Sequence, residues 1–222
     1  MSFPRLNLAN DFDEAYVAVE EEEHFLPFVG GEPARIERCA TAAKRCLGVP
    51  ASAILDPWRA AQLVGISVRG REHFEAADAS IRVPLTADSR SWSGGAVPVG
   101  DGWLVILNPL HDQVRQRATL AEELTHIIMG HPPSAIDAVA GTRTYDDRIE
   151  DEAYGVGGAM LLPYSHLFWR VKRASAEQTI ARSYEVSERF VRYRINRCGL
   201  RRMYDKAHRR LADSSASAHG ST

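Results

Sequence analysis

The sequence contains little cysteine, little net charge and no long apolar run. Three cysteines among 222 residues are an odd number without the spacing of a disulfide framework, which favours a reducing, cytoplasmic setting. The net charge of −2 excludes a strong overall attraction to nucleic acid or to acidic membranes. The apolar runs are too short to span a bilayer, and the first residues lack the basic and apolar regions of a signal peptide. We therefore expect a cytoplasmic protein that does not use a membrane.

The chain does have enough apolar content, 45%, to build one cored domain and a small second module. Changes in composition divide it into four segments. Residues 1–49 are predicted to be an acidic arm and a helix, residues 50–168 a mixed α+β domain, residues 169–211 a helical module, and residues 212–222 a disordered tail. The acidic run at 11–24 is interpreted as a solvated helical face, with docking on a basic partner as the alternative.

A β-hairpin is predicted immediately before the most informative motif. Residues 95–107, "GAVPVGDGWLVIL", are two apolar runs separated by Asp101-Gly102, which is a strong two-residue turn signal. Pro98 has no N–H group to donate to a ladder, so its strand is expected at the edge of the sheet. Residues 134–146, by contrast, are predicted to be a loop.

A helix is predicted over residues 109–131, with Asn108 as its cap and Pro109 in its first turn. This helix carries the motif "ATLAEELTHIIMGH". In the motif, Glu122 and His126 are four residues apart, so their side chains project from the same face of the helix. The spacing therefore allows both to converge on one ion.

These residue types at this spacing are typical of a hydrolytic metal site, which needs three protein ligands and an open position for water. Glu122 and His126 supply two ligands, and Glu123, on the neighbouring flank, supplies a general base. The third ligand is expected from "RIEDEA", as either Glu150 or Glu152, which point to different sides of a helix. The alternative is that the paired carboxylates are simply solvated, as such pairs often are.

Two further groups of residues have more than one interpretation. His131 either turns toward the site as an alternate ligand or caps the C-terminal end of its helix. Farther along, "SYEVS" separates two short helical patterns, as in a helix-turn-helix. Arg189, Arg192, Arg194 and Arg197 form a basic patch there, which predicts contact with DNA or with a protein partner. The alternative is that these arginines are solvated or paired with the acidic N-terminal arm.

Four blocks, in this order, resemble the ImmA/IrrE family of bacterial and phage metallopeptidases: "GWLVILNP", "ATLAEELTHIIMGH", "IEDEAYGVGGAMLLP" and "IARSYEVSERFVRYRINRCGL". The resemblance covers about residues 50–200. It implies a zincin-like metallopeptidase domain, with a small mixed sheet packed on helices, followed by a helix-turn-helix-like module. It also implies that His126 is the second histidine ligand, Glu123 the general base and Glu150 the third ligand, with Glu152 as the alternate.

Two residues depart from the pattern of the family, whose helix normally reads H-E-x-x-H. Glu122 stands in place of the first histidine, and Tyr154 stands where a small amide or acid commonly supports the site. Two anionic ligands would offset the charge of a divalent ion, so its bound water would be a weaker acid. Oxygen ligands also shift the preference from zinc toward manganese. We therefore expect Zn²⁺ held weakly, Mn²⁺ in its place, or no metal.

The resemblance implies a function in gene regulation. Members act on helix-turn-helix repressors, whose cleavage turns on stress-response or mobile-element genes. An extended segment of the repressor would add to the sheet edge at residues 96–99. Three interpretations follow: a metal-dependent endopeptidase with a weakened site, a non-catalytic relative that binds the same kind of partner, and a DNA-binding regulator that uses the basic module. Because of Glu122, the sequence leaves open whether the protein is an enzyme.

Overall fold

The structure is a computed structural model, and it describes residues 8–21, 31–70, 72–73, 92–132, 135–137, 142–144 and 146–219. Its helices are α1 (Leu8–Glu21), α2 (Gly31–Cys46), α3 (Pro57–Leu63), α4 (Gln113–Ile128), α5 (Asp147–Leu161), α6 (Tyr164–Lys172), α7 (Glu177–Tyr184), α8 (Glu188–Arg197) and α9 (Arg201–His219). Its strands are β1 (Ser67–Arg69), β2 (Gly94–Val99), β3 (Gly102–Leu107), β4 (Ala135–Asp137) and β5 (Thr142–Thr144). This order of elements confirms the predicted α+β class.

The larger sheet has the strand order β1-β3-β2. β3 is central because β1 pairs with it in parallel and β2 pairs with it antiparallel. β2 is therefore an edge of the described sheet, as Pro98 predicts. The hairpin turns at Gly100-Asp101 instead of Asp101-Gly102, because Gly102 is already paired with Val99. Gly100 has φ +59, which places glycine at the turn position that needs a left-handed backbone.

The predicted helix 109–131 is shorter than expected and starts later, at Gln113. Its cap is Asp112, whose carboxylate accepts the N–H of Arg115 at 2.7 Å. Asn108 was predicted to be the cap, but its side chain is used elsewhere: it accepts the N–H of Leu110 and donates to the carbonyl of Trp92. Asn108 therefore fixes the turn between β3 and α4.

Two segments have more regular structure than predicted. The segment 134–146 was predicted to be a loop, but it contains β4 and β5, which pair antiparallel through Ala135 and Thr144. The predicted disordered tail, 212–222, is helical as far as His219, because α9 continues the helix that begins at Arg201. No described helix is long and apolar enough to cross a membrane.

The packing of α4 against α5 positions the candidate site. Both helices are buried along one side, and the contact includes Leu120, Leu124, Val156 and Met160 in the main core. The two backbones approach closely at Gly157, where a Cβ atom would lie 2.9 Å from the carbonyl oxygen of Ala121. Only glycine fits there, so the small residues of "YGVGGA" allow the approach. The approach brings the acidic start of α5 toward the motif of α4.

Candidate functional site

The first pair of site residues joins α4 to α5. Nε2 of His126 lies 3.6 Å from Oε2 of Glu150. The His126 side chain is 18% exposed and that of Glu150 is 32% exposed, so solvent reaches the pair. These two residues were predicted from the sequence to be ligands of one ion, and the structure places them side by side.

The two alternates, His131 and Glu152, form a second pair that contacts the first. Nε2 of His131 lies 3.4 Å from Oε2 of Glu152. On its other side, Nδ1 of His131 lies 3.1 Å from Nδ1 of His126. Glu152 also forms an ion pair with Arg35 of α2, a contact that no sequence motif indicated. Within the described residues, His131 thus points back at His126 after the chain leaves the helix at Gly130.

Electrostatics distinguish Glu122 from the other carboxylates. Burial raises the pKa of Glu122 to about 8, and the nearby charges of Glu123 and Glu150 contribute in the same direction. Burial lowers the pKa of His126 to about 4, with a contribution from His131. Near neutral pH, therefore, His126 is a neutral imidazole and much of Glu122 is a neutral acid. Glu123 follows Glu122 on the same helix, and its charge acts on that group.

A cleft of about 610 Å³ runs past Glu122 between α4 and α8. Three aromatic side chains form its far wall: the ring centroids of Tyr154 and Tyr193 are 4.9 Å apart, and those of Tyr154 and Phe190 are 6.1 Å apart. Arg189 also lines the cleft. The volume is in the range of binding pockets for small ligands or for a few side chains of a peptide. The C-terminal module therefore supplies one wall of the opening beside the motif.

A family model for the IrrE N-terminal-like domain, of peptidase family M78, matches residues 81–196, which is more than half of the chain. The chain belongs to this family of metallopeptidases. No curated protein and no solved structure matches the chain. The match spans the hairpin, the α4 motif, the acidic start of α5 and most of α8.

Membership in a metallopeptidase family suggests a metal cofactor, and the IrrE-like site fits one in part. Among the described residues, no three His, Cys, Asp or Glu side chains are gathered as a ready-made metal site. Two donors are nevertheless in place: two ligands of one tetrahedral ion lie about 3.4 Å apart, close to the separation of His126 and Glu150. Glu122 would be the third donor only after losing its proton. Among the described residues, the donors that are in place thus fit a metal ion in part.

The four arginines of α8 have different surroundings, although the sequence grouped them. Arg194 is 1% exposed and forms a buried ion pair with Glu37 of α2, so it is not available to DNA or to a partner. The prediction that Arg194 binds DNA or a partner is wrong, because its side chain is buried. The other three lie near the surface. Arg192 pairs with Glu177 at 2.8 Å, Arg197 pairs with Glu32 at 2.8 Å, and Arg189 lines the cleft.

Two contributions to the site were missed by the sequence analysis. Arg35 contacts Glu152 across 117 residues of chain, and nothing in its local sequence indicated this contact. Tyr193 lines the cleft together with Tyr154. A signal for Tyr193 was present, because this tyrosine stands among the arginines of the basic patch.

Proposed function

We propose that this IrrE-like protein binds an extended segment of a helix-turn-helix repressor, and that its hydrolytic activity is weak because its metal site is weakened. One observation carries the proposal. By the resemblance, Glu122 stands where the family has its first histidine ligand, and desolvation raises the pKa of its half-buried carboxyl group to about 8. A metal must therefore compete with a proton at this position near neutral pH, which lowers its apparent affinity.

The roles of the chain's own residues follow from their places. His126 and Glu150 would hold the ion, with Glu122 as a third ligand in its ionised form. When bound, the ion would supply a Lewis acid that activates water. Glu123, on the flank of the same helix, is the carboxylate that accepts a proton as the general base. Tyr154 and Arg189 line the cleft beyond Glu122, where they contact the bound segment.

The edge strand β2 supports binding of an extended segment. The side of β2 away from β3 has no strand paired to it in the described sheet, and Val97 and Val99 are 40% and 57% exposed. A segment added here would hydrogen-bond to the main chain of β2, except at Pro98. Ser93, just before β2, already lines the cleft that contains Glu122. A segment along β2 therefore leads directly to the candidate site.

Binding of DNA is the less favoured function because the basic patch is largely neutralised within the molecule. Arg192, Arg194 and Arg197 pair with Glu177, Glu37 and Glu32, respectively. An arginine that already pairs with a carboxylate releases fewer counterions from a phosphate backbone. We therefore propose that the C-terminal helical module contacts the repressor and not DNA. The protein would act in the cytoplasm, in stress-response or mobile-element regulation.

The test is elemental analysis of the purified protein and of a Glu122→His variant, together with an assay for cleavage of candidate repressors. We expect less than one zinc per parent chain and about one per variant chain, because the histidine restores a neutral nitrogen ligand. Cleavage should appear or increase in the variant. Adding Glu123→Gln to the variant should abolish cleavage and leave zinc in place. A parent with full zinc, or a variant that gains none, contradicts the weakened site.

A further inference from the structure

Four side chains form a continuous series of contacts that we name the histidine chain: Arg35, Glu152, His131 and His126. It begins on α2, crosses the start of α5 and ends at the imidazole of α4 that faces Glu150. His131 and Glu152 are only 9% and 21% exposed, so these contacts are largely shielded from water. The ring centroids of His126 and His131 are 5.0 Å apart, with an interplanar angle of 74°.

The directions of the hydrogen bonds follow from the Glu152 end of the histidine chain, because the contact of His131 with Glu152 is shorter and more shielded from water than that of His126 with Glu150. Glu152 is already bound to Arg35, and a carboxylate in an ion pair is an acceptor only. Nε2 of His131, at 3.4 Å, must therefore be the nitrogen that carries a proton toward Glu152. In a neutral imidazole the other nitrogen is then an acceptor. Nδ1 of His131 consequently accepts, and Nδ1 of His126, at 3.1 Å, donates.

The opposite arrangement is disfavoured by the same contacts. If Nδ1 of His131 donated to His126, the neutral His131 would turn the lone pair of Nε2 toward the carboxylate of Glu152. Two acceptors, Nε2 of His131 and the carboxylate of Glu152, would then face each other away from water, and both would lack a hydrogen bond at this contact. The chosen arrangement also sets a lone pair, that of Nε2 of His126, beside a carboxylate, but this contact is longer, at 3.6 Å, and Glu150 is 32% exposed, so water can hydrogen-bond there. This lone pair is the one that a ligand nitrogen needs.

We propose that His131 and Glu152 are positioning residues that hold His126 in its Nδ1–H tautomer, with the lone pair of Nε2 directed into the gap beside Glu150. The α2 helix takes part through Arg35, which keeps Glu152 an acceptor. The link to metal binding rests on the proposed function, but the tautomer itself does not. This role explains why two residues with the chemistry of ligands face each other instead of joining Glu122.

The tautomer is measured directly by long-range ¹H–¹⁵N correlation spectra of the full-length, ¹⁵N-labelled, metal-free protein. The ring signals of His126 are identified by their loss in a His126→Gln variant. We expect a protonated Nδ1 and an unprotonated Nε2 for His126 in the parent. His131→Phe removes the acceptor, so His126 should change to the Nε2–H form. A parent with Nε2–H overturns the proposal, whatever the variants do.

A conservative replacement separates positioning from mere packing. His131→Gln keeps one acceptor for His126 and one donor for Glu152, so it should preserve the Nδ1–H tautomer. His73→Phe, at an exposed histidine outside the histidine chain, is the matched control and should leave His126 unchanged. Glu152→Ala is the second route if His131→Phe does not fold, and it should also release the tautomer. An unchanged spectrum in both His131→Phe and Glu152→Ala overturns the proposal.

Metal titration then separates this proposal from the proposed function. With Zn²⁺ alone as the probe, His131→Phe should raise the dissociation constant 10- to 100-fold relative to the parent, and His131→Gln should raise it less. If the parent binds no Zn²⁺ but shows the Nδ1–H tautomer, the proposed metal function fails and the positioning role stands. If Zn²⁺ binds equally well to the parent and to His131→Phe, the positioning role fails.

Discussion

Two clusters of charged side chains, one buried and one partly exposed, are built differently. The first, which we name the structural cluster, joins Glu37 of α2 to Arg194 of α8. Glu37 also accepts the N–H of Tyr164, and Arg194 donates to the carbonyl of Leu162, both at 3.0 Å. Each charge is therefore matched by an opposite charge and by main-chain partners, as a buried ion pair requires.

The candidate site instead brings carboxylates close together. Glu122, Glu123 and Glu150 influence one another, and the resulting repulsion adds to burial in raising the pKa of Glu122. His126, the nearest base, stays neutral because burial lowers its pKa to about 4. The structural cluster is therefore complete without a ligand, whereas a cation close to Glu122 would offset the repulsion that raises its pKa. The structural cluster joins α2 to α8, whereas the carboxylates of the candidate site lie on α4 and α5.

The largest effect is expected from breaking the structural cluster with Arg194→Met. Glu37 would keep its charge in a buried place without a counter-ion, which costs about 3–5 kcal/mol of unfolding free energy. Urea denaturation followed by circular dichroism measures this loss. The double variant Glu37→Gln/Arg194→Met removes both charges and should recover most of it. Equal losses in the single and double variants would show that shape, and not charge, holds the cluster.

The next largest effect concerns Glu122 and depends on pH. Its folded pKa, about 8, lies above its ordinary value of 4.5, so folding favours the protonated acid. The stabilisation is complete below about pH 4.5 and is lost as pH rises toward 8. The side chain of the Glu122→Gln variant cannot ionise. With a metal chelator present, the free energy of unfolding of this variant should exceed that of the parent by about 2–4 kcal/mol at pH 8.5 and by little at pH 5. Urea denaturation at the two pH values measures the difference.

A pH-independent difference between Glu122→Gln and the parent would contradict the raised pKa. The matched control is Glu185→Gln, because Glu185 is exposed at the turn between α7 and α8. Its replacement should give nearly the same small change at both pH values. A pH-independent difference for Glu122→Gln would also remove the contrast between the two clusters, because the pKa of Glu122 would then not be raised by neighbouring carboxylates.

The third effect tests whether the site depends on the close approach of α4 and α5. In Gly157→Ala, the new Cβ would meet main-chain atoms of Ala121 and Glu122 at 2.9–3.0 Å. The helices must separate, at a cost of about 1–3 kcal/mol by urea denaturation. Gly155→Ala, on the same helix, meets only Ile36 at 3.4 Å and should be neutral or slightly stabilising. Equal stability of both variants would mean that the approach is not tight.

Features that depend on neighbouring residues in the chain could be predicted from the sequence. The helical period places Glu122 and His126 on one face, and Pro98 places its strand at an edge. Long-range contacts could not be predicted in the same way. The pairing of Arg194 with Glu37 joins residues 157 positions apart, so the charge pattern of α8 did not reveal that Arg194 is buried.

The candidate site shows the same limit within a few residues. The helix period fixes where His126 points, but the direction of His131 depends on how the chain leaves α4. That exit is set by the left-handed backbone of Gly130, with φ +66, and by the bond from the N–H of His131 to the carbonyl of His126 at 2.9 Å. The sequence therefore offered His131 as a ligand or a cap, whereas its ring faces that of His126.

The smallest effect is expected from Arg197→Met, which matches Arg194→Met closely. Both arginines lie on α8, three residues apart, and both pair with a glutamate of α2. Arg197 and Glu32 are 30% and 52% exposed, so water and salt screen their attraction and the loss should stay below about 1 kcal/mol. In 0.5 M salt the effect of Arg197→Met should nearly vanish, whereas that of Arg194→Met should persist. Equal sensitivity to salt would mean that water reaches both pairs, and the distinction between a closed cluster and an open surface would be lost.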